Sequence, residues 1–256
     1  MAAGRKIGDR LASWVNRAKI RAAQACLPPV KQYQSELLSM LCSPAGSADR
    51  SAGLDALIAT ALSAAGDAAK IDLADVSNRM SEGEKWPNIW PGEHYKLLAA
   101  LVARLQPKTV VEVGTFLGLS ALAMEKTLPP GGRIVTFDLL PWDSFATTCL
   151  RPGDFSDGRI EQILGDLADP AVFGAHEALL EKADLIFLDG PKNLAFERAF
   201  LRRLGTVKFA GPVLLVIDDI RLWAMLDIWR EIPFPKLDVT SFGHFTGTGL
   251  VRLSPK

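Results

Sequence analysis

The sequence predicts an α/β protein, a doubly wound and mostly parallel sheet closed by an antiparallel C-terminal hairpin, with a helical N-terminal extension. Three observations carry this. From His94 onward short apolar runs alternate with helical stretches, the pattern of βαβ units with helices on both faces of a sheet. The last two runs, Lys236–Phe242 and Thr248–Leu253, are joined by the turn 243–247, which is too short for anything but an antiparallel pair. Each of the five earlier runs ends in a glycine, an acid or both, so chemically useful residues collect at one edge of the sheet.

In chain order, residues 1–92 read as a helical extension or cap and residues 93–256 as the α/β domain. Helices are expected near 5–24, 31–42 and 53–65, with loops at 42–47 and 81–92. The second loop holds Trp86 and Trp90, which either anchor it to the core or line a pocket. In the first helix Arg5, Lys6, Arg10, Arg17, Lys19 and Arg21 face a single Asp9, while Ile7, Leu11, Trp14, Val15, Ala18 and Ala22 share one side. Such a helix packs on its own domain or on a second copy in a homodimer, or it lies peripherally on an anionic membrane. Packing is the commoner use.

Within the α/β part, the stripe Tyr95, Leu98, Val102 and Leu105 makes a helix that Pro107 stops. Strands follow at 109–113, 133–137, 159–164, 183–188 and 213–217. Helices are expected near 118–127, 170–182, 193–204 and 221–230, with a weaker one near 143–149. His176 falls in mid-helix and is expected to be exposed.

Composition sets limits. The chain has 256 residues, 48% of them apolar, enough for one such domain and its extension. Lys plus Arg (29) equals Asp plus Glu (29), so a nucleic-acid partner is not expected. Cys26, Cys42 and Cys149 are scattered and odd in number, which reads as reduced thiols. With His94, His176 and His244 equally scattered, no zinc-ligand spacing is visible. No apolar run is long enough to span a bilayer and the first residues do not read as a secretory signal, so a cytoplasmic protein is expected.

The loop after the first strand decides between cofactors. Gly114 and Gly118 stand in G-x-x-x-G spacing, not the G-x-G-x-x-G that cradles a pyrophosphate, and Glu112 lies in the strand two residues earlier. A buried carboxylate repels a diphosphate and favours an ammonium or a sulfonium. This counts against the alternative of a nucleotide-binding oxidoreductase and for a cationic cofactor without phosphates.

The run from Glu112 to Ser120, followed by Arg133-Ile134-Val135-Thr136-Phe137-Asp138, resembles the first two motifs of class I S-adenosylmethionine-dependent methyltransferases. The likeness is strongest to the small-molecule O-methyltransferases of the catechol and caffeoyl-coenzyme A type, and covers about residues 94–253. It implies a Rossmann-like seven-stranded sheet and S-adenosylmethionine as cofactor. It also implies methyl transfer to a hydroxyl of a small-molecule acceptor such as a sugar, phenolic or natural product. By the resemblance Glu112 lies near the methionine end, Gly114, Thr115 and Phe116 form a wall along it, and Ser120 bonds its carboxylate. Asp138 takes the ribose hydroxyls, with Leu139 beside it. Gly165, Asp166 and Leu167 flank the adenine, and Asp189, Gly190 and Pro191 sit beneath the methyl group.

On the acceptor side the resemblance implies catalytic roles for Asp189 and Lys192, the lysine as base, and a divalent metal such as magnesium on Asp189, Asp218 and Asp219. Asp219 stands where the family has Asn, and Pro191 alters the turn before Lys192. A metal-independent methyltransferase acting on another acceptor therefore stays open beside the metal-dependent one. His244, in the closing turn, is a candidate base or acceptor ligand, or a histidine satisfied by backbone. His94 is placed to approach the cofactor edge.

Overall fold

The computed structural model describes residues 48–80, Pro87 and 93–254. The helices expected near 5–24 and 31–42, the dimer and membrane roles attached to them, and nearly all of the 81–92 loop lie outside the described residues.

The described chain runs α1 (Ala48–Ala68), α2 (Ala74–Ser77), α3 (Glu93–Leu105), β1 (Thr109–Val113), α4 (Leu119–Glu125), β2 (Arg133–Asp138), β3 (Ile160–Leu164), α5 (Pro170–Ala175), α6 (Glu177–Leu180) and β4 (Leu185–Leu188). It continues through α7 (Ala195–Leu204), β5 (Val213–Asp218), α8 (Met225–Glu231), β6 (Lys236–Asp238) and β7 (Thr248–Leu253). The seven strands form one sheet in the order β3-β2-β1-β4-β5-β7-β6. All neighbours from β3 to β5 are parallel, and β7 is antiparallel to both β5 and β6. This is the expected doubly wound sheet with its closing hairpin.

Strand alternation explains the two layers of helices. Side chains of successive strand residues point to opposite faces. Val110, Leu185, Phe187, Leu214 and Val216 therefore join one apolar core, and Val111, Ile186, Leu188, Leu215 and Ile217 the other. Both faces of the central strands are covered, so these segments read as continuous apolar runs. Helix α1 packs against α3 and reaches β6 and β7, burying Leu57, Ala61, Ala64 and Ala68 at helical spacing.

Four expected elements differ, each for a local reason. The helix expected over 170–182 breaks into α5 and α6 at His176. This residue leaves helical geometry, is half-buried, and packs its ring edge-on against Phe137 at 5.1 Å, so it is neither mid-helix nor exposed. The stretch 143–149 yields only a 3-10 turn over Trp142–Ser144 behind Pro141. The strand expected over 236–242 ends at Asp238, whose carboxylate accepts from both the amide and the hydroxyl of Thr240 and folds the chain into a turn. Helix α8 starts four residues late because Asp219 and Trp223 take left-handed backbone conformations in the loop before it.

Lys236 ties the closing hairpin to α8. Its ammonium is buried and donates to the carbonyls of Trp229, Arg230 and Ile232 at 2.5, 3.1 and 3.0 Å, capping the end of the helix where carbonyls lack intrahelical donors. Lys236→Met keeps the apolar stem and removes those charged hydrogen bonds. It is expected to lower unfolding free energy by about 2–3 kcal/mol in urea denaturation, with cofactor affinity unchanged.

Candidate active site

Strand order reverses between β1 and β4, and there the loops after the strands part to leave a crevice. Gly114 makes this geometry. Its φ is +102°, and a Cβ at this position would overlap the carbonyl oxygen of Asp189. Its amide donates to the Phe137 carbonyl at 2.8 Å, while the Asp189 amide donates to the Val113 carbonyl at 2.9 Å. The ends of β1, β2 and β4 are thereby locked together around one residue without a side chain.

The resulting cleft has a volume of about 340 Å³. Ten of the expected cofactor residues line it: Gly114, Phe116, Asp138, Leu139, Gly165, Asp166, Leu167, Asp189, Gly190 and Pro191. The sequence reading missed Asn193 and Phe196, which also line it and enter from the start of α7. Three expected residues do not face the cleft. The Thr115 hydroxyl turns inward to Thr136 at 2.8 Å, and Ser120 is buried beside Glu112.

Glu112 itself is fully buried, and among the described residues neither of its carboxylate oxygens has a hydrogen-bond partner. Burial pushes its pKa up to about 7, with the Ser120 and Thr136 hydroxyls pulling weakly the other way. An unpaired buried carboxyl behind an acid-lined cleft fits a cationic group and not a phosphate. Asp138 does more than the sequence reading assigned. One of its oxygens accepts from the amides of Thr115 and Phe116 at 3.0 and 2.9 Å, and the other from Leu140 at 3.1 Å. It fixes the loop that forms the cleft wall while also lining the cleft.

Beyond Asp189 the cleft meets a charged cluster. Lys192 contacts Asp189 and lies 3.1 Å from Asp219. Both Lys192 and Leu194 have positive φ, and the buried carboxylate of Glu197 holds this loop by accepting from the Lys192 and Leu194 amides at 2.8 and 2.7 Å. Glu197 is a positioning residue whose sequence signal was an acid in the first turn of a helix. Burial works against the Lys192 charge, but Asp189, Asp218 and Asp219 outweigh it and raise its pKa, so the side chain stays an ammonium. Burial raises Asp189 to about 6 against the pull of Lys192, although 37% of its side chain is open to the cleft.

His244 completes the cluster, its Nδ1 3.6 Å from Asp218 and 3.5 Å from Asp219. Burial disfavours its proton, yet these two acids push its pKa up to about 9. Thr246 bridges, donating to Asp219 and lying 2.6 Å from His244 Nδ1. His94 joins this cluster and does not line the cofactor cleft; burial lowers its pKa and favours the neutral ring. Asp189, Asp218 and Asp219 come within one ion's reach of each other, as expected for a metal set. The Lys192 ammonium lies against two of the three carboxylates, so an ion there would share their charge with it.

A Rossmann-like sheet with an acid-lined cleft at the reversal of strand order defines a cofactor-binding enzyme fold. A family model described as O-methyltransferase matches residues 71–226. Mouse catechol O-methyltransferase is 27% identical over 128 residues, covering 47% of this chain and 48% of that one. Human transmembrane O-methyltransferase is 33% identical over 94 residues, covering 36% and 32%. The chain thus spans about half or less of the curated relatives it matches. The solved O-methyltransferase from Bacillus cereus in complex with S-adenosylhomocysteine is 17% identical, covers 76% of this chain and 91% of its own, and superposes with a TM-score of 0.47. The chain belongs to the O-methyltransferase family. Among the described residues, no helix is long and apolar enough to cross a membrane.

The buried Glu112 makes a stability prediction with a definite sign. Its folded pKa, near 7, lies above the ordinary value of 4.5, so the folded state binds the proton more tightly. Stability therefore falls as pH rises from 4.5 to 7, by about 3 kcal/mol in all, and stays lowered above. Glu112→Gln removes that loss. Urea denaturation of the ligand-free protein is expected to show the variant more stable by about 2–3 kcal/mol at pH 8 and nearly equal at pH 4.5, with cofactor binding weakened.

Proposed function

We propose that this protein transfers the methyl group of S-adenosylmethionine to a hydroxyl of a small-molecule acceptor. The observation that carries the reading is the continuity of two sites. Asp189 belongs to both: it lines the cleft and contacts the Lys192 ammonium, which a second acid, Asp219, also holds.

Bound S-adenosylmethionine supplies an electrophilic methyl group on a sulfonium. Glu112 offers its charge to the cationic methionine end, Asp138 its remaining lone pairs to the ribose hydroxyls, and the end near Gly165, Asp166 and Leu167 receives the adenine. Methyl transfer is an in-line displacement: the acceptor oxygen bonds to the methyl carbon as the carbon–sulfur bond breaks, leaving S-adenosylhomocysteine. Most of the acceleration comes from holding oxygen, carbon and sulfur in line. Lys192, fixed by Glu197 through its own backbone, is a poor base as an ammonium and instead stabilises the charge developing on the acceptor oxygen. Asp189, open to the cleft and titrating near 6, is the group placed to take the hydroxyl proton. Without a metal, His244 is protonated at neutral pH and lies against Asp218 and Asp219.

Helix α1, a described part of the N-terminal extension, packs onto α3 and the sheet edge and in this proposal forms part of a cap.

Incubation with methyl-labelled cofactor and a panel of catechols, hydroxycinnamates and sugars, read by product mass, is expected to show single methyl addition to a hydroxyl. Lys192→Ala should then lower kcat at least about 100-fold while leaving S-adenosylhomocysteine affinity within about threefold. Label on no hydroxylated acceptor, or an affinity loss matching the loss of kcat, would contradict the assignment.

A further inference from the structure

Two buried atoms at the acceptor end have no role in methyl transfer as described. Among the described residues His94 Nδ1 and Asp218 Oδ1 lack hydrogen-bond partners, although their residues are only 9% and 4% exposed. They face one another at 3.8 Å, beyond hydrogen-bond distance. His244 approaches the same oxygen, with its Nδ1 at 3.6 Å, and the two imidazole centroids lie 4.9 Å apart. One ring nitrogen from each histidine and one Asp218 oxygen fall within 4.8 Å of each other. An orphaned buried polar atom is costly, and here two of them stand side by side.

The spacing suits a metal ion. Around a tetrahedral ion with bonds of about 2.0–2.2 Å, neighbouring ligand atoms stand roughly 3.3–3.5 Å apart. The histidine-to-Asp218 distances of 3.6 and 3.8 Å need a closure of a few tenths of an ångström, the two histidine nitrogens come within 4.8 Å of each other, and His244 Nδ1 exchanges its 2.6 Å contact with Thr246 for the ion. Charge balance agrees. Three carboxylates, Asp189, Asp218 and Asp219, face one ammonium, Lys192, and so lack two positive charges. A proton on His244 supplies one of them. A divalent ion on neutral imidazoles supplies both.

We propose that His94, Asp218 and His244 form a transition-metal site, taking a divalent ion of borderline softness such as zinc or cobalt(II), in place of the oxygen-only magnesium set. Imidazole nitrogen selects such ions, whereas magnesium prefers carboxylate, carbonyl and water oxygen. Asp218 is the shared anchor, projecting from the end of β5. His94 comes from the first turn of α3 and His244 from the turn before β7, so the site clasps the domain's first described helix after the 81–92 loop to its closing hairpin. It lies on the side of Asp219 where Thr246 and not Lys192 is the neighbour, so Lys192 can remain against Asp189.

The test uses the full-length protein, stripped of metal with a chelator, dialysed, and confirmed by calorimetry to bind S-adenosylhomocysteine. It is titrated with cobalt(II) chloride while heat and visible absorption are followed. One ion per chain is expected, with visible bands of nitrogen-ligated cobalt that a hundredfold excess of magnesium does not remove. His94→Ala and His244→Ala should each weaken binding at least about tenfold. His94→Gln replaces His94→Ala if the latter does not fold, judged by S-adenosylhomocysteine binding. Cobalt binding unchanged in the histidine variants, or displaced by equimolar magnesium, would overturn the proposal in favour of the carboxylates alone. No cobalt binding would overturn it in favour of a proton on His244. Because cofactor binding is measured separately, its failure would count against the methyl-donor reading and not against the metal site.

Discussion

Position 114 has no room for a side chain, and the active site follows from that. The chain leaves β1 with a left-handed turn and passes so close to Asp189 that a single methyl group would collide with its carbonyl. Amide-to-carbonyl bonds on either side then bring the ends of β1, β2 and β4 to one point. Asp138 uses that closeness to accept two amides of the same turn, and the turn's outer side becomes the cleft wall. The cleft is a product of backbone packing, which is what positioning for the proposed in-line displacement requires.

Charge is the second organising principle. The fold places Asp138, Asp166 and Asp189 around one cleft and buries Glu112 outside its lining, where only the Ser120 and Thr136 hydroxyls offset the cost of burial. Such an arrangement lowers stability and persists where the ligand provides the compensation. The acceptor end solves the same problem differently, with Lys192 and His244 set among three acids and a buried Glu197 holding the lysine's loop in a left-handed conformation. On the proposed function, donor and acceptor halves differ in where the positive charge comes from: the ligand in one, the protein in the other.

Much of this was legible in the sequence because it depends on period and on residues at strand ends. The alternation of apolar runs placed all five parallel strands, and reading one residue past each run found most of the cleft. What stayed hidden depends on long-range packing. His94 and His244 looked scattered because about 150 positions separate them, and only the folding of α3 and the closing hairpin onto β5 brings both to Asp218. Thr115 sits in the motif yet turns its hydroxyl into the core, since the strand-end geometry aims it at Thr136. Glu197 read as an ordinary helix-start acid, because the two strained residues it supports, Lys192 and Leu194, carry no glycine to announce a positive φ. His176 looked helical because nothing local signals that its ring will pack on Phe137.

The central claim, that the buried Glu112 carboxyl is completed by a cationic methyl donor, has a direct measurement. A carboxyl titrating near 7 is about half protonated at neutral pH, and a cation bound beside it drives the proton off. Calorimetry of S-adenosylmethionine binding at pH 7 in buffers of different ionisation enthalpy should therefore show release of about half a proton per cofactor. The release should vanish in Glu112→Gln. Binding without any buffer dependence, or the same release from the Gln variant, would contradict the account.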